Sequence, residues 1–60
     1  MEDTTKTIGK MLQSLQAIRE CYYREGDQHA LDKDDNLANI SYGKASAISE
    51  AIGIVIEGIN

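Results

Sequence analysis

Two cations stand where an amphipathic helix ordinarily places apolar side chains. Arg19 falls between Leu12 and Leu15 on one side and Tyr22 and Tyr23 on the other, and Lys44 falls among Leu37, Ile48, Ala51 and Val55 at helical spacing. A cation on an apolar face needs a partner or a route to water, because an isolated buried charge is very costly. Three arrangements meet that need. The side chains can snorkel to solvent along their aliphatic stems. They can pair with an acid of another subunit, Glu50 or Glu57 being the candidates on the C-terminal segment. Or they can hold an anionic ligand: with Tyr22, Tyr23 and Tyr42 near in sequence and hydroxyls at Ser41 and Ser46, a guanidinium or ammonium can grip a phosphate while a phenol ring stacks on a base. Arg19, Tyr22, Tyr23, Tyr42 and Lys44 are therefore the candidate ligand-binding residues.

The remaining reactive side chains form weaker patterns. Asp32, Asp34 and Asn36 have the first, third and fifth positions of a calcium loop, but the sixth is Leu37 in place of glycine and the twelfth is Gly43 in place of a bidentate glutamate. A solvated, cap-rich loop is the simpler expectation. His29 lies between Asp27 and Asp32, a spacing open to acid-base or metal work, yet a lone histidine in a polar stretch is ordinarily just exposed. Cys21, the single cysteine, falls on the polar side of its helix with nothing to activate it. No nucleophile elbow, phosphate-binding loop, HExxH or paired cysteines occur. The expectation is a protein that is not an enzyme and that requires no cofactor or metal.

Whatever these residues do, a chain of 60 residues must position them. At that size only about 60% of the unfolded surface is buried on folding, so one domain, marginal as a monomer, is the most the length allows. One cysteine gives no disulfide framework and no zinc spacing, which leaves self-association as the remedy. The formal net charge of −4 repels phosphate backbones and excludes a basic stripe for duplex nucleic acid. The first ten residues lack the pattern of a secretory signal, and the longest apolar run, residues 51–56, falls far short of the roughly 20 residues a membrane span needs. A cytoplasmic location, off the membrane, is expected.

The periodicity points to an all-α fold, an antiparallel two-helix hairpin filling residues 1–60 as a single domain. Asp3 or Thr4 is placed to cap a first helix over about residues 5–24, whose apolar series Ile8, Met11, Leu15, Ile18, Tyr22 matches a heptad seam. Turn formers and charge then dominate residues 25–36, with Gly26 as a natural terminator and Asp34, Asp35 and Asn36 as caps for the next helix. That second helix is expected over about residues 37–59. Its β-branched end resembles a strand in composition, but the 3.6-residue period persists. Ala45, Ile48, Ile52, Val55, Ile56 and Ile59 make one stripe; Ile40, Ala47, Ala51, Ile54 and Gly58 make a second beside it. Together they span about half the circumference, more than one partner helix can cover. The expected remedy is a homodimer or higher even-numbered oligomer forming a helical bundle, with Gly43, Ala47 and Ala51 allowing close approach.

Residues 42–52, YGKASAISEAI, resemble a segment found near the end of short bacteriophage accessory proteins. The resemblance covers those positions alone and includes no ligand motif of the nucleotide-sequestering families. It implies a small phage-type accessory protein acting stoichiometrically in the host cytoplasm to counter a defence system. An anionic nucleotide signal sequestered at subunit interfaces is one expected mode. The alternative is an inhibitor or adaptor that binds a host protein through the acidic loop and the surface of the first helix.

Overall fold

The computed structural model describes the backbone of residues 2–59 and the side chains of residues 4–58. Two helices, α1 (Glu2–Leu31) and α2 (Asp35–Ile59), pack against each other as a hairpin. Their antiparallel register follows from the side chains that meet: Asp27 reaches Tyr42 near the turn, and Arg19 reaches Ser49 two turns further along.

The seam of α1 is Ile8, Leu12, Leu15, Arg19, Tyr22, Gly26 and His29, alternating by four and three residues as a heptad pattern demands. This corrects the expected phase. Met11 and Ile18 are 50% and 42% exposed, and Leu12 and Arg19 take their places against α2. Both phases put apolar groups at helical spacing; contact with α2 selects the one whose members are narrow enough near the turn.

That narrowness is supplied by α2. Ala38, Ser41, Ala45 and Ile52 are its buried residues, with Ile48, Ser49, Ala51 and Val55 half-buried beside them. Three of the four buried side chains are small, and they face the half of α1 that contains Gly26. The first expected stripe of α2 thus forms the intrachain contact through Ala45, Ile48, Ile52 and Val55, while Ile56 stays 44% exposed. Ile59, the last member of that stripe, and Asp3, one of the expected caps, have side chains outside the described residues.

The connection is far shorter than the expected loop over residues 25–36. Helix α1 continues past Arg24 to Leu31, and only residues 32–34 separate it from α2. Gly26 does not terminate the helix but lies buried within it. What ends α1 is a left-handed residue at Lys33, with φ of 63°. Asp34 N–H donates to the His29 carbonyl at 2.8 Å and Lys33 N–H to that of Ala30 at 3.0 Å, the paired bonds of a Schellman motif. Asp34 then begins the next helix, its carboxylate accepting the Leu37 N–H at 3.2 Å. One residue closes one helix and caps the other.

The hairpin is long and thin, 49 × 16 × 9 Å between Cα extremes. Its radius of gyration is 14.2 Å, against about 10.4 Å for a compact domain of this length. It exposes 4721 Å², where a compact monomer of the same mass exposes about 3,900 Å². Among the described residues no helix is long and apolar enough to cross a membrane.

Candidate binding surfaces

The seam divides the hairpin into two broad flanks, and the candidate ligand residues fall on both. Tyr42 and Lys44 are two positions apart on α2, so they project about 160° from each other, to either side of the line of contact. Lys44 meets Tyr22: its Nζ stands 5.5 Å from the ring centroid, within cation–π range. Tyr42 meets the other flank. Its ring lies 6.3 Å from that of Tyr23 at an interplanar angle of 45°, and its hydroxyl donates to Asp27 Oδ1 at 2.6 Å. Arg19 stays in the seam between them, half-buried, with Nη1 donating to Ser49 Oγ at 3.4 Å. A single chain therefore does not gather Arg19, Tyr22, Tyr23, Tyr42 and Lys44 into one pocket. It makes two separate clusters and a bridging arginine.

Each contact has a local cause. Gly26 lies opposite Tyr42 across the seam, and a Cβ built on it would stand 2.5 Å from the phenol ring, so the absent side chain is what lets the ring lie flat against α1. Asp27, next along the helix, then receives the hydroxyl. That hydrogen bond, with burial and the nearby negative charge, raises the Tyr42 pKa above its ordinary value of 10.0. The parts played by Asp27, Ser49 and Gly26 are invisible in the sequence, because they exist only once the register pairs residue 27 with 42 and 19 with 49.

The acidic turn is occupied by structural work. Asp34 caps α2, and Asp32 Oδ1 accepts from Gln28 Nε2 at 3.4 Å. His29 is half-buried at the end of the α1 seam, where its carbonyl takes the Schellman bond, so it is not the exposed loop residue its sequence context suggests. Cys21 is exposed. Among the described residues no three His, Cys, Asp or Glu side chains converge as a metal site.

The flank that carries Lys44 and Tyr22 is the apolar one. On α1, Ile18 lies one turn before Tyr22, and Met11 lies two turns before Ile18. On α2, Ile40 lies one turn before Lys44, and Ala47, Ala51 and Ile54 come after it at helical spacing; Ile40 is 54% and Ile54 69% exposed. This is the second stripe read from the sequence, left uncovered except at half-buried Ala51. The acids are distributed unevenly about it: Asp27 is on the opposite flank with Tyr42, while Glu50 and Glu57 border the stripe, about 40° and 60° round α2 from Ile54. Glu25 lies on the same flank of α1, three residues after Tyr22. Two shallow depressions, of about 380 and 210 Å³, lie on α1 near its N-terminal half. They are lined by Met11, Leu15, Ile8 and Leu12 with neighbouring polar residues of α1, and by none of the candidate ligand residues.

In comparison with known proteins, no family model, no curated protein and no solved structure matches the chain.

Proposed function

We propose that this protein works by stoichiometric binding, not catalysis, and that its working form is a homodimer in which two hairpins lay their apolar flanks together as a four-helix bundle. The observation that carries this reading is the uncovered second stripe of α2, with Ile40 and Ile54 more than half exposed and joined by Met11 and Ile18 of α1 into one flank. The footprint of that flank supports it. Extents of 49 × 16 Å correspond to roughly 800 Å² per copy, the size of a standard specific interface. Gly43 adds to the fit, since a Cβ placed on it meets nothing within 4 Å, leaving space for a neighbouring helix.

In this reading the protein is an intracellular accessory factor of the phage type that counters a host system. Lys44 and Tyr22 are the groups that take an anionic nucleotide between subunits. Sedimentation equilibrium between 5 and 500 µM, concentrations on the order of those that separate weak from specific pairing, tests the assembly. A mass of twice 6.6 kDa in the upper range is expected. A well-folded single chain throughout removes the proposal.

A further inference from the structure

Pairing through the apolar flank raises a problem that the single chain does not have. Lys44 is exposed in the hairpin, with its ammonium over the Tyr22 ring, but it stands on the surface that the bundle covers. A buried ammonium without a counter-charge is strongly unfavourable, and a phenol face compensates only in part. Glu25 meets the same difficulty on α1. It is exposed on that flank, and among the described residues the ion pair within the chain is Arg24 with Glu20, at 3.8 Å.

The two groups hold matching positions on their helices. At 3.6 residues per turn, Glu25 projects about 90° from the seam of α1 and Lys44 about 80° from the seam of α2, so both stand upright on the flank. They are also level along the hairpin. Asp27 meets Tyr42 and Arg19 meets Ser49, which sets residues 24 and 25 of α1 beside residue 44 of α2.

A second hairpin can be laid on this flank with two-fold symmetry in two ways. With the turns at opposite ends, α1 covers α1 and α2 covers α2. Lys44 then faces the partner's α2, on which Glu50 and Glu57 lie about 120° and 140° round the helix from Lys44, at the far edge of that contact. With the turns at the same end, the two-fold axis runs along the bundle, every residue keeps its level, and α2 lies over the partner's α1. Lys44 then meets the partner's Glu25 directly, and by symmetry Glu25 meets the partner's Lys44. The apolar members fit by size in the same register. Ile18 comes level with the partner's Ala51 and Met11 with the partner's Gly58, a large side chain against a small one each time. The partner's Ile54, 69% exposed in the hairpin, comes level with Ser14 on the rim of the 380 Å³ depression beside Met11. Two acidic turns then share one end, but Asp32 and Asp35 are exposed, Lys33 lies between them, and salt screens such charges beyond about 8 Å. The Glu25 and Lys44 charges lie where the bundle excludes water and are screened much less.

From this we infer that the homodimer is built with its turns at the same end, α2 of each copy on α1 of the other, and that two reciprocal ion pairs, Glu25 with the partner's Lys44, fix that orientation. The pairs rest on the dimer proposed above and are incomplete without the second chain. A nucleotide phosphate that takes Lys44 must displace the partner's carboxylate.

The test measures the dimer dissociation constant of the full chain by sedimentation for Glu25→Lys and Lys44→Glu, each alone and in equimolar mixture. Each variant alone sets like charges against each other at both contacts and is expected to dimerise roughly tenfold more weakly, or worse. The mixture restores an opposite-charge pair at both contacts of a heterodimer, and its association is expected to return to within about threefold of wild type. Mixing Lys44→Glu with Glu50→Lys is expected to restore nothing. Circular dichroism checks that each variant is helical. Wild-type affinity in the single variants, or a mixture as weak as its components, overturns the ion pairs and leaves the dimer standing. Recovery with Glu50→Lys in place of Glu25→Lys sets the turns at opposite ends and overturns the arrangement. Spin labels at Asp32→Cys in a Cys21→Ser chain report the orientation with both charges intact: a separation far short of the 49 Å length is expected, and one close to it overturns the arrangement as well. A wild-type chain that stays monomeric at every concentration overturns the dimer itself.

Discussion

Gly26 shows how one residue's meaning depends on what faces it. In isolation a glycine inside a helix costs about 1 kcal/mol against alanine, so Gly26→Ala should stabilise α1. Here the new Cβ would stand 2.5 Å from the Tyr42 ring, and relieving that overlap means moving the ring off α1 and away from Asp27. Overpacking of this kind costs about 1–3 kcal/mol. The expected result is a lower melting temperature for Gly26→Ala, by roughly 5 °C per kcal/mol in a domain this small. In a Tyr42→Ala background the same substitution should raise it. A rise in both backgrounds would show that the ring does not depend on the glycine. The Tyr42 hydroxyl gives a second, independent readout. Its pKa is raised in the folded protein by the hydrogen bond to Asp27, by burial and by the negative charge of that carboxylate. A raised folded value means the neutral phenol is the form the fold prefers, so its contribution is complete below about pH 10 and is lost as pH climbs through the folded value. Comparing wild type with Tyr42→Phe in urea titrations from pH 8 to about pH 11.5 should show the difference between them shrinking at the alkaline end. A constant difference would mean the hydroxyl is not engaged. Neither role is legible in the sequence, where Gly26 reads as a helix terminator and Tyr42 as one of three similar tyrosines, because both depend on a register that only the folded hairpin sets.

At the level of the helices, the two-helix pattern and the turn between them are legible in the sequence, and the details are not, for identifiable reasons. Residues 25–36 are rich in Asp, Asn and Gly, which favour turns on local grounds, yet tertiary contact carries α1 through Gly26 and His29 to Leu31. The phase of the α1 seam is hidden because Met11 and Ile18 are greasier than the Arg19 that displaces one of them. What the α2 partner requires is narrow or adaptable side chains opposite Ala38, Ser41 and Ala45. The stop signal is equally hidden: a lysine in the left-handed conformation carries no signature in the sequence. It does carry a cost. A residue with a Cβ is disfavoured there by about 1–2 kcal/mol, whereas glycine is not. Lys33→Gly should therefore stabilise the hairpin by about 1 kcal/mol, allowing for the greater chain entropy glycine brings to the unfolded state. Chemical denaturation at fixed protein concentration measures it directly. An unchanged or lower midpoint would indicate that the Lys33 side chain contributes something the backbone geometry does not reveal.

For the whole molecule the decisive quantity is how little one chain can bury. Ala38, Ala45 and Ile52 are its buried apolar residues among those described, and Leu31, Ile40 and Ile54 remain 77%, 54% and 69% exposed. Two helices side by side have little interior; beyond those three, the described apolar residues keep part of their surface in water. A second hairpin on the Ile40 and Ile54 side converts that edge into the core of a bundle. Folding and association are then linked, because whatever binds the folded chain and not the unfolded one raises its apparent stability by mass action. The melting temperature of wild type should accordingly climb with protein concentration. Ile40→Glu with Ile54→Glu introduces two charges on the exposed stripe and none in the seam. This double variant should remain helical at low temperature, sediment as a monomer, and melt at a temperature independent of concentration and below that of wild type. The order of these losses is the informative part. If the double variant unfolded outright at low temperature, the stripe would belong to the fold of the single chain. If it dimerised as wild type does, the interface would lie elsewhere, on the flank that carries Tyr23 and Tyr42. Only concentration-independent melting of a helical monomer assigns Ile40 and Ile54 to the contact between copies.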